Sequence, residues 1–335
     1  MEWTPATLYR RTGDRFQCDV CPFRCTVAEG QTGACRVRRG GPHGMETATF
    51  ATSVQHVDAI ERKPLYHYRP DSRAVTLAAP GCSFRCDYCV NHELSQFGRR
   101  TEVPWTGRAV SPQAVVLQAQ RLGACVALSY SEPSLAIELT LALAEAGAPV
   151  GVDVVWKSNG FLTTDAVRRV APVLAAVNID IKSVDDVRHR ALTGAPAGPV
   201  LDTLEALRSA GVWVEASTPL VPGVADSPED LSAIALRLAR IDPGIPWHLA
   251  RFSPAFRRSG DVPTLPSALA EGVAAGRGAG LRHIYVERAL GAAGRATSCP
   301  KCDGLVVERD LWKLTANRLR DGACPDCGTR VEGRW

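Results

Sequence analysis

Seven short, mostly apolar runs punctuate the chain between residues 74 and 286, each followed by a longer segment with helix signals. The runs at 74–79, 125–129, 150–156, 176–181, 212–216, 246–252 and 281–286 predict strands. Ser111-Pro112 and Ser227-Pro228-Glu229-Asp230 each offer a capping hydroxyl and then a proline suited to a first helical turn. The acidic pair after the second cap complements a helix dipole. Gly147, Gly211 and Gly280 stand where helices should end, just before the next strand. Strands that alternate with helices in this way predict a parallel α/β sheet or barrel.

Length and composition sharpen this picture. At 335 residues the chain is long enough for about two units of ~150 residues. Apolar residues at 45% and charged residues at 22% are ordinary for a globular protein. A net charge of +4 makes no case for nucleic acid or an anionic membrane as a partner. The apolar stretch 135–156 is interrupted by Glu138, Glu145 and Asp153, which argues against a membrane span. The opening Met1-Glu2-Trp3-Thr4-Pro5 lacks a signal-peptide pattern, so a cytoplasmic location is expected. Residues 38–44 read as an exposed loop, and the small-residue stretch 290–296 as a linker. The expected divisions are therefore 1–62, 63–290 and 291–335.

Eleven of the twelve cysteines fall into three tight groups, which in a reducing compartment reads as metal binding rather than disulfides. Cys125, alone in an apolar run, reads as a core thiol. Cys82, Cys86 and Cys89 are three thiolates in one short loop. A four-iron four-sulfur (4Fe–4S) cluster normally takes four thiolates, so three leave one iron open to an outside ligand. Zinc would need a fourth ligand there, with His92 the nearby candidate. Cys299, Cys302, Cys324 and Cys327 form two knuckles suited to a closed zinc ribbon, with rubredoxin-like iron the competitor. Seven Lys/Arg against six Asp/Glu leave residues 299–335 at +1, without the basic stripe of a nucleic-acid binder. Cys18, Cys21, Cys25 and Cys35 suit either a zinc staple or a second iron–sulfur cluster serving as electron relay or substrate anchor.

Active sites of parallel α/β barrels form at the carboxyl ends of the strands. Polar residues cluster at these predicted ends: Glu132-Pro133, Ser158-Asn159-Gly160, Asp180-Ile181-Lys182, His248 and Arg251. Each has a plain structural alternative. Glu132 can be a helix cap, Ser158 and Asn159 a turn, Asp180 and Lys182 a surface ion pair, and His248 a buried ring.

The spacing C-x3-C-x2-C, with Tyr88 just before Cys89, resembles the radical S-adenosylmethionine (SAM) superfamily. The segments around Cys82, Tyr130–Pro133, Asn159-Gly160, Asp180–Lys182, Glu215–Gly223 and His248–Pro254 resemble activating enzymes of glycyl-radical proteins, and more specifically the AmmeMemoRadiSam radical SAM proteins. The resemblance implies a partial (β/α)6-type TIM barrel, preceded by the four-cysteine segment and followed by a zinc ribbon. It implies a 4Fe–4S cluster on Cys82, Cys86 and Cys89, whose electron cleaves SAM to a 5'-deoxyadenosyl radical that abstracts hydrogen from a substrate. The backbone at Tyr88 would meet the adenine and Glu132 the methionyl amine. Ser158 and Asn159 would approach the ribose or methionyl carboxylate. Asp180, Lys182 and His248 match further SAM-site positions. Lys157 stands where familiar activases carry an acidic residue that holds a monovalent cation, so its ammonium is expected to replace that ion. Val286-Glu287-Arg288 replaces the family's usual Gly-Asn pair, which leaves the substrate open. Implied partners are a flavodoxin- or ferredoxin-type electron donor and a protein substrate, or AMMECR-type and Memo-type proteins; a small-molecule substrate is the other option. The competing function is a non-catalytic, multi-metal adaptor that docks a partner.

Overall fold

The computed structural model describes residues 2–99, 106–288 and 290–335. Through the middle of the chain run β1 (Arg73–Leu77), α1 (Pro112–Arg121), β2 (Ala124–Leu128), α2 (Ile137–Gly147), β3 (Val154–Ser158), α3 (Thr164–Val170) and β4 (Leu174–Asp180). They are followed by α4 (Asp186–Thr193), α5 (Gly198–Ser209), β5 (Trp213–Leu220), α6 (Pro228–Ile241), β6 (Trp247–Arg251), α7 (Pro266–Gly278) and β7 (Ile284–Val286). Every strand expected from the apolar runs is present, with shifted ends. The largest shift is in β3, because Ala148–Val150 forms a 3-10 turn closed by Gly151 at φ +68°. Ser158 is consequently the last residue of a strand rather than the first of a turn.

The chain divides into two compact units, the first comprising Met1–Asp58, Arg73–Val177 and Pro199–Val212. In it β2 pairs in parallel with β1 (Cys125 opposite Ala74) and with β3 (Val126 opposite Val154). All five residues of β2 are buried. A strand covered on both faces requires such an unbroken apolar run. Helix α1 starts as the sequence predicts, the Ser111 hydroxyl accepting from the Ala114 amide with Pro112 in the first turn. It buries Val115, Val116 and Ala119. Trp156 in β3 is fully buried, and its indole N–H donates to Thr140 of α2 at 3.1 Å. Cys125 is buried, as a core thiol should be.

Upstream of β1, two small antiparallel sheets carry the first cysteine group: Tyr9–Thr12 with Arg15–Cys18 and Thr26–Val27, and Thr4–Pro5 with Met45–Thr47 and Arg38–Gly40. The exposed loop expected at 38–44 is thus corrected. Arg38 lies in a strand and is 1% exposed, its guanidinium 3.1 and 2.9 Å from the two carboxylate oxygens of Glu138 in α2. The amide and hydroxyl of Thr7 donate to the same carboxylate at 2.6 and 2.9 Å. A guanidinium can be buried only with such pairing. Only the Gly41-to-Gly44 turn is left of the predicted loop.

The second unit comprises Ala59–Ser72, Asn178–Gly198 and Trp213–Trp335, so the residues of β4 fall on both sides of the division. Here β5, β6 and β7 are parallel, with Ala216 opposite Trp247 and Leu249 opposite Val286. Ser227 caps α6 through the Asp230 amide, and the helix buries Leu231, Ile234, Ala235 and Leu238. Each such apolar side chain contributes ~1.5–3 kcal/mol on full burial. Helix α7 approaches the sheet so closely that a Cβ on Gly272 would lie 2.8 Å from Leu249, and one on Gly276 2.7 Å from Ile284. At the C-terminus, Thr297–Ser298, Leu305–Asp310 and Lys313–Asn317 form an antiparallel sheet. Its small core consists of Cys299, Val306, Val307, Cys324 and Val331. Within the stretch 290–296, Arg295 is buried and donates to the carbonyls of Glu287 and Arg309 at 3.0 and 3.3 Å. Among the described residues, no helix is long and apolar enough to cross a membrane.

Candidate functional site

In the first unit the loop after β1 presents Cys82, Cys86 and Cys89. Cys86 is buried, and the other two are half-buried. The buried Phe84 ring anchors the loop against Phe161, 5.4 Å between centroids. The Phe84 amide donates to the Cys82 sulfur at 3.3 Å. Arg99 clamps the same loop through its carbonyls, donating to Cys82 O and Phe84 O at 2.7 Å each. Ser95 lies 3.2 Å from the Cys89 sulfur. Burial raises the Cys82 thiol well above its ordinary range, and the nearby Glu132 carboxylate raises it further. Metal coordination would overcome this preference for the protonated form, because the ligand is the thiolate.

The ends of β2 and β3 converge on this loop through Glu132. Its carboxylate is 2% exposed; Oε1 accepts from the Ser134 amide at 2.9 Å and the Ser158 hydroxyl at 2.6 Å, and Oε2 from the Asn159 amide at 2.8 Å. Glu132 is therefore a helix cap, for the 3-10 turn Pro133–Leu135, and also a tie between two strand ends. Burial raises its pKa, an effect opposed by the hydrogen bonds from Ser158, Asn159 and Ser134. The Asn159 side-chain amide donates to Ser83 Oγ at 3.0 Å and lies 3.6 Å from the Cys82 sulfur. Its own oxygen accepts from the Phe161 amide at 2.9 Å. The structure thus joins Cys82, Glu132, Ser158 and Asn159 into one network. Tyr88 and Lys157 lie in the same unit and are half-buried. Lys157 follows Trp156, which faces α2, so strand alternation turns Lys157 toward the opposite face of the sheet.

The other predicted site residues belong to the second unit. Lys182 is buried and its ammonium is 2.9 Å from Asp180. His248 is also buried, with Nε2 2.6 Å from Glu215 and its ring edge-on to Tyr66 at 4.8 Å. Glu215 is fully buried and also accepts from the amides of Tyr66 and His67 at 3.0 and 2.8 Å and from the Trp213 indole at 3.0 Å. Arg251 is exposed.

The C-terminal cysteines differ from the other two groups in spacing. Cys299 and Cys327 have sulfurs 3.5 Å apart, and Cys302 and Cys324 3.7 Å apart. All four sulfurs lie within 4.8 Å of one another, and among the described residues they are the one group of ligand atoms so close. Four thiolates on a single zinc at ~2.3 Å stand about 3.8 Å apart. In a 4Fe–4S cluster each cysteine binds a different iron, which sets the sulfurs further apart. The wider triad at Cys82, Cys86 and Cys89 fits the latter.

Arg99 carries no signal of its own in the sequence, since an arginine that binds loop carbonyls follows no fixed spacing; Glu215 opens a segment that carries the family resemblance, but no spacing marks it as a carboxylate that gathers amides. Arg38 was legible only as part of a loop.

A parallel α/β protein with an incomplete set of cysteine ligands on the loop after its first core strand is the class this architecture defines. The profile of the radical SAM superfamily matches residues 77–234. The chain is 31% identical over 339 residues to an uncharacterized protein of Methanocaldococcus jannaschii, covering 98% of each. It is 31% identical over 219 residues to the isethionate sulfite-lyase activating enzyme of Nitratidesulfovibrio vulgaris, covering 64% of this chain and 71% of that one. With a pyruvate formate-lyase-activating enzyme of Listeria monocytogenes it shares 26% identity over 46% of this chain and 64% of that one. The crystal structure of Streptococcus suis SuiB bound to SAM shares the fold, with a TM-score of 0.51 at 12% identity over 68% of this chain and 52% of that chain. The chain belongs to the radical SAM superfamily.

Proposed function

We propose that the chain is an activase-like radical SAM enzyme. Cys82, Cys86 and Cys89 would hold a 4Fe–4S cluster, which supplies the electron for reductive cleavage of SAM. The observation that carries this reading is the pair of N–H donors, from the Phe84 amide and the Asn159 side chain, that converge on the Cys82 sulfur, with the Asn159 backbone held by Glu132. Such donors stabilise thiolate charge and fix the loop before any ligand arrives.

The chain's own residues then position SAM. A carboxylate has about four acceptor sites, and Glu132 uses two on Oε1 and one on Oε2. We assign the remaining site to the methionyl ammonium. Ser158 and Asn159 would orient the ribose or methionyl carboxylate, the Tyr88 backbone the adenine, and Lys157 the carboxylate. Asp180, Lys182 and His248 are assigned to the same cofactor through their motif positions. In this reading Glu215 is a positioning residue for His248. The buried Phe84 and Phe161 exclude water, which would otherwise quench a radical.

Two of the relatives are named as activating enzymes of lyases, which supports a protein substrate that receives the radical. The AmmeMemoRadiSam resemblance supports AMMECR-type and Memo-type partners, and a flavodoxin- or ferredoxin-type donor would supply the electron. We assign zinc to Cys299, Cys302, Cys324 and Cys327, on the 3.5 and 3.7 Å sulfur spacings. Grouped cysteines and an oxygen-sensitive cluster support a reducing, cytoplasmic setting. Anaerobic incubation of reconstituted protein with SAM and dithionite tests the assignment. 5'-Deoxyadenosine should form with wild type and not with the Cys86→Ala protein; its absence from wild type with an intact cluster would favour a non-catalytic adaptor.

A further inference from the structure

The first cysteine group encloses a cavity whose lining includes Cys18, Cys21, Cys25, Cys35, Arg38 and Ser83. A zinc ion held at ~2.3 Å by four thiolates would draw their sulfurs to about 3.8 Å from one another. No three of these sulfurs approach one another as closely as the C-terminal four do. The amides of Val20, Phe23 and Val37 face the sulfurs of Cys18, Cys21 and Cys35, and the Ala34 amide donates to Cys25 at 3.4 Å. Three of these amides lie two residues beyond their cysteine, as the Phe84 amide does beyond Cys82. Arg38, 1% exposed, lines the same cavity and carries its charge beside Cys18 and Cys35. A buried guanidinium among four cysteines favours the thiolate form that metal ligation needs.

We infer that Cys18, Cys21, Cys25 and Cys35 bind a second, fully ligated 4Fe–4S cluster that passes electrons to the cysteine triad. Ser83 joins the two sites: it lines this cavity, follows Cys82 directly and accepts from Asn159. Arg99 spans them, donating to Ala34 O at 3.0 Å and to Cys82 O at 2.7 Å. Gly81 is packed so tightly that a Cβ would lie 2.8 Å from Val37 and 3.0 Å from Cys35 O. At the rim of this cavity Ala34 is exposed and Cys25 half-buried, giving a donor access. The balance is simple. A reduced ferredoxin- or flavodoxin-class donor loses one electron to this cluster, which returns to its oxidised state as the electron moves to the triad cluster. That electron breaks one carbon–sulfur bond of SAM, yielding methionine and the 5'-deoxyadenosyl radical.

This inference rests on the proposed radical SAM reading only for the electron's destination, not for the metal. Iron, sulfide and zinc would be measured on the full chain reconstituted anaerobically, alongside a Cys82→Ala/Cys86→Ala/Cys89→Ala variant. Wild type should hold about eight irons, about eight sulfides and about one zinc. The triple variant should keep about four irons, and its reduced-cluster electron paramagnetic resonance (EPR) signal should ignore SAM, since four thiolates leave no open iron. A wild type with about four irons and two zincs, or a folded triple variant without iron, would overturn the second cluster. If the triple variant does not fold, the wild-type ratio of iron to zinc decides alone. Eight irons in wild type with no response to SAM would instead contradict the radical SAM reading and leave the second site standing. In a Cys21→Ser protein that retains the triad cluster, reduction by a flavodoxin-class donor should slow by about tenfold or more while reduction by dithionite persists. Unchanged reduction by that donor would contradict the relay.

Discussion

The C-terminal cysteines and the Cys82 loop offer the same chemical group in opposite arrangements. At the C-terminus four sulfurs crowd within 4.8 Å of one another, two of the residues are buried, and Val306, Val307 and Val331 complete the core around them. In the loop three sulfurs stand wider, and the Phe84 amide of the loop and the Asn159 side chain, just beyond β3, are aimed at Cys82. A closed set of four ligands finishes its work when the fold is made. An open set must be held in place by the protein so that one position stays available. The comparison teaches that the number of cysteines matters less than what surrounds them.

The largest effect should separate the two regions. Cys86→Ala should lower 5'-deoxyadenosine formation by several orders of magnitude while leaving zinc content and far-ultraviolet circular dichroism unchanged, since its sulfur serves the open centre alone. Next, Cys324→Ser or strong chelation should destabilise the second unit by several kcal/mol, seen as a lower melting temperature and loss of zinc. Cluster content at the triad should survive, and a simultaneous loss of both metals would erase the distinction.

Glu132→Ala leaves three buried donors without their acceptor, at ~1–3 kcal/mol each, so its cost should be about 3 kcal/mol or more. Cluster loading should fall with it, measured as iron per chain. The pH dependence should come from the second unit. Burial holds His67 well below its ordinary pKa, with the His283 charge adding to the effect. The neutral ring bonds Tyr285 and the Glu332 carbonyl. A depressed histidine leaves stability whole above the unfolded value of ~6.5 and erodes it as pH falls toward the folded value, by up to ~1.4 kcal/mol per unit. Denaturant titration at pH 7 and 5 should show this loss, and His67→Gln should reduce the slope. Last, Lys157→Ala should weaken SAM binding about fivefold, or ~1 kcal/mol, and introduce a dependence on monovalent cations. Equal affinity without cation dependence would remove Lys157 from the SAM site.

Much of this was legible before any coordinates. Apolar runs predicted the strands because parallel strands covered on both faces must be continuously apolar, as β2 is. Ser111 and Ser227 marked helix starts because capping is a local affair of three residues. The cysteine triad was explicit in its spacing. Long-range pairing was not legible: Arg38 looked like loop because Glu138 lies 100 positions downstream. The shift of β3 came from Gly151, whose left-handed turn delays the strand. Nor can spacing along a chain report distances between sulfurs, which is what separates a single ion from a cluster.

The central claim is that the iron held by Cys82, Cys86 and Cys89 has a position open to SAM. EPR of the reduced protein, recorded with and without SAM, tests it most directly. The account predicts a cluster signal that changes when SAM is added and is lost in the Cys86→Ala protein. A fully loaded wild-type protein whose every cluster signal is indifferent to SAM would contradict it.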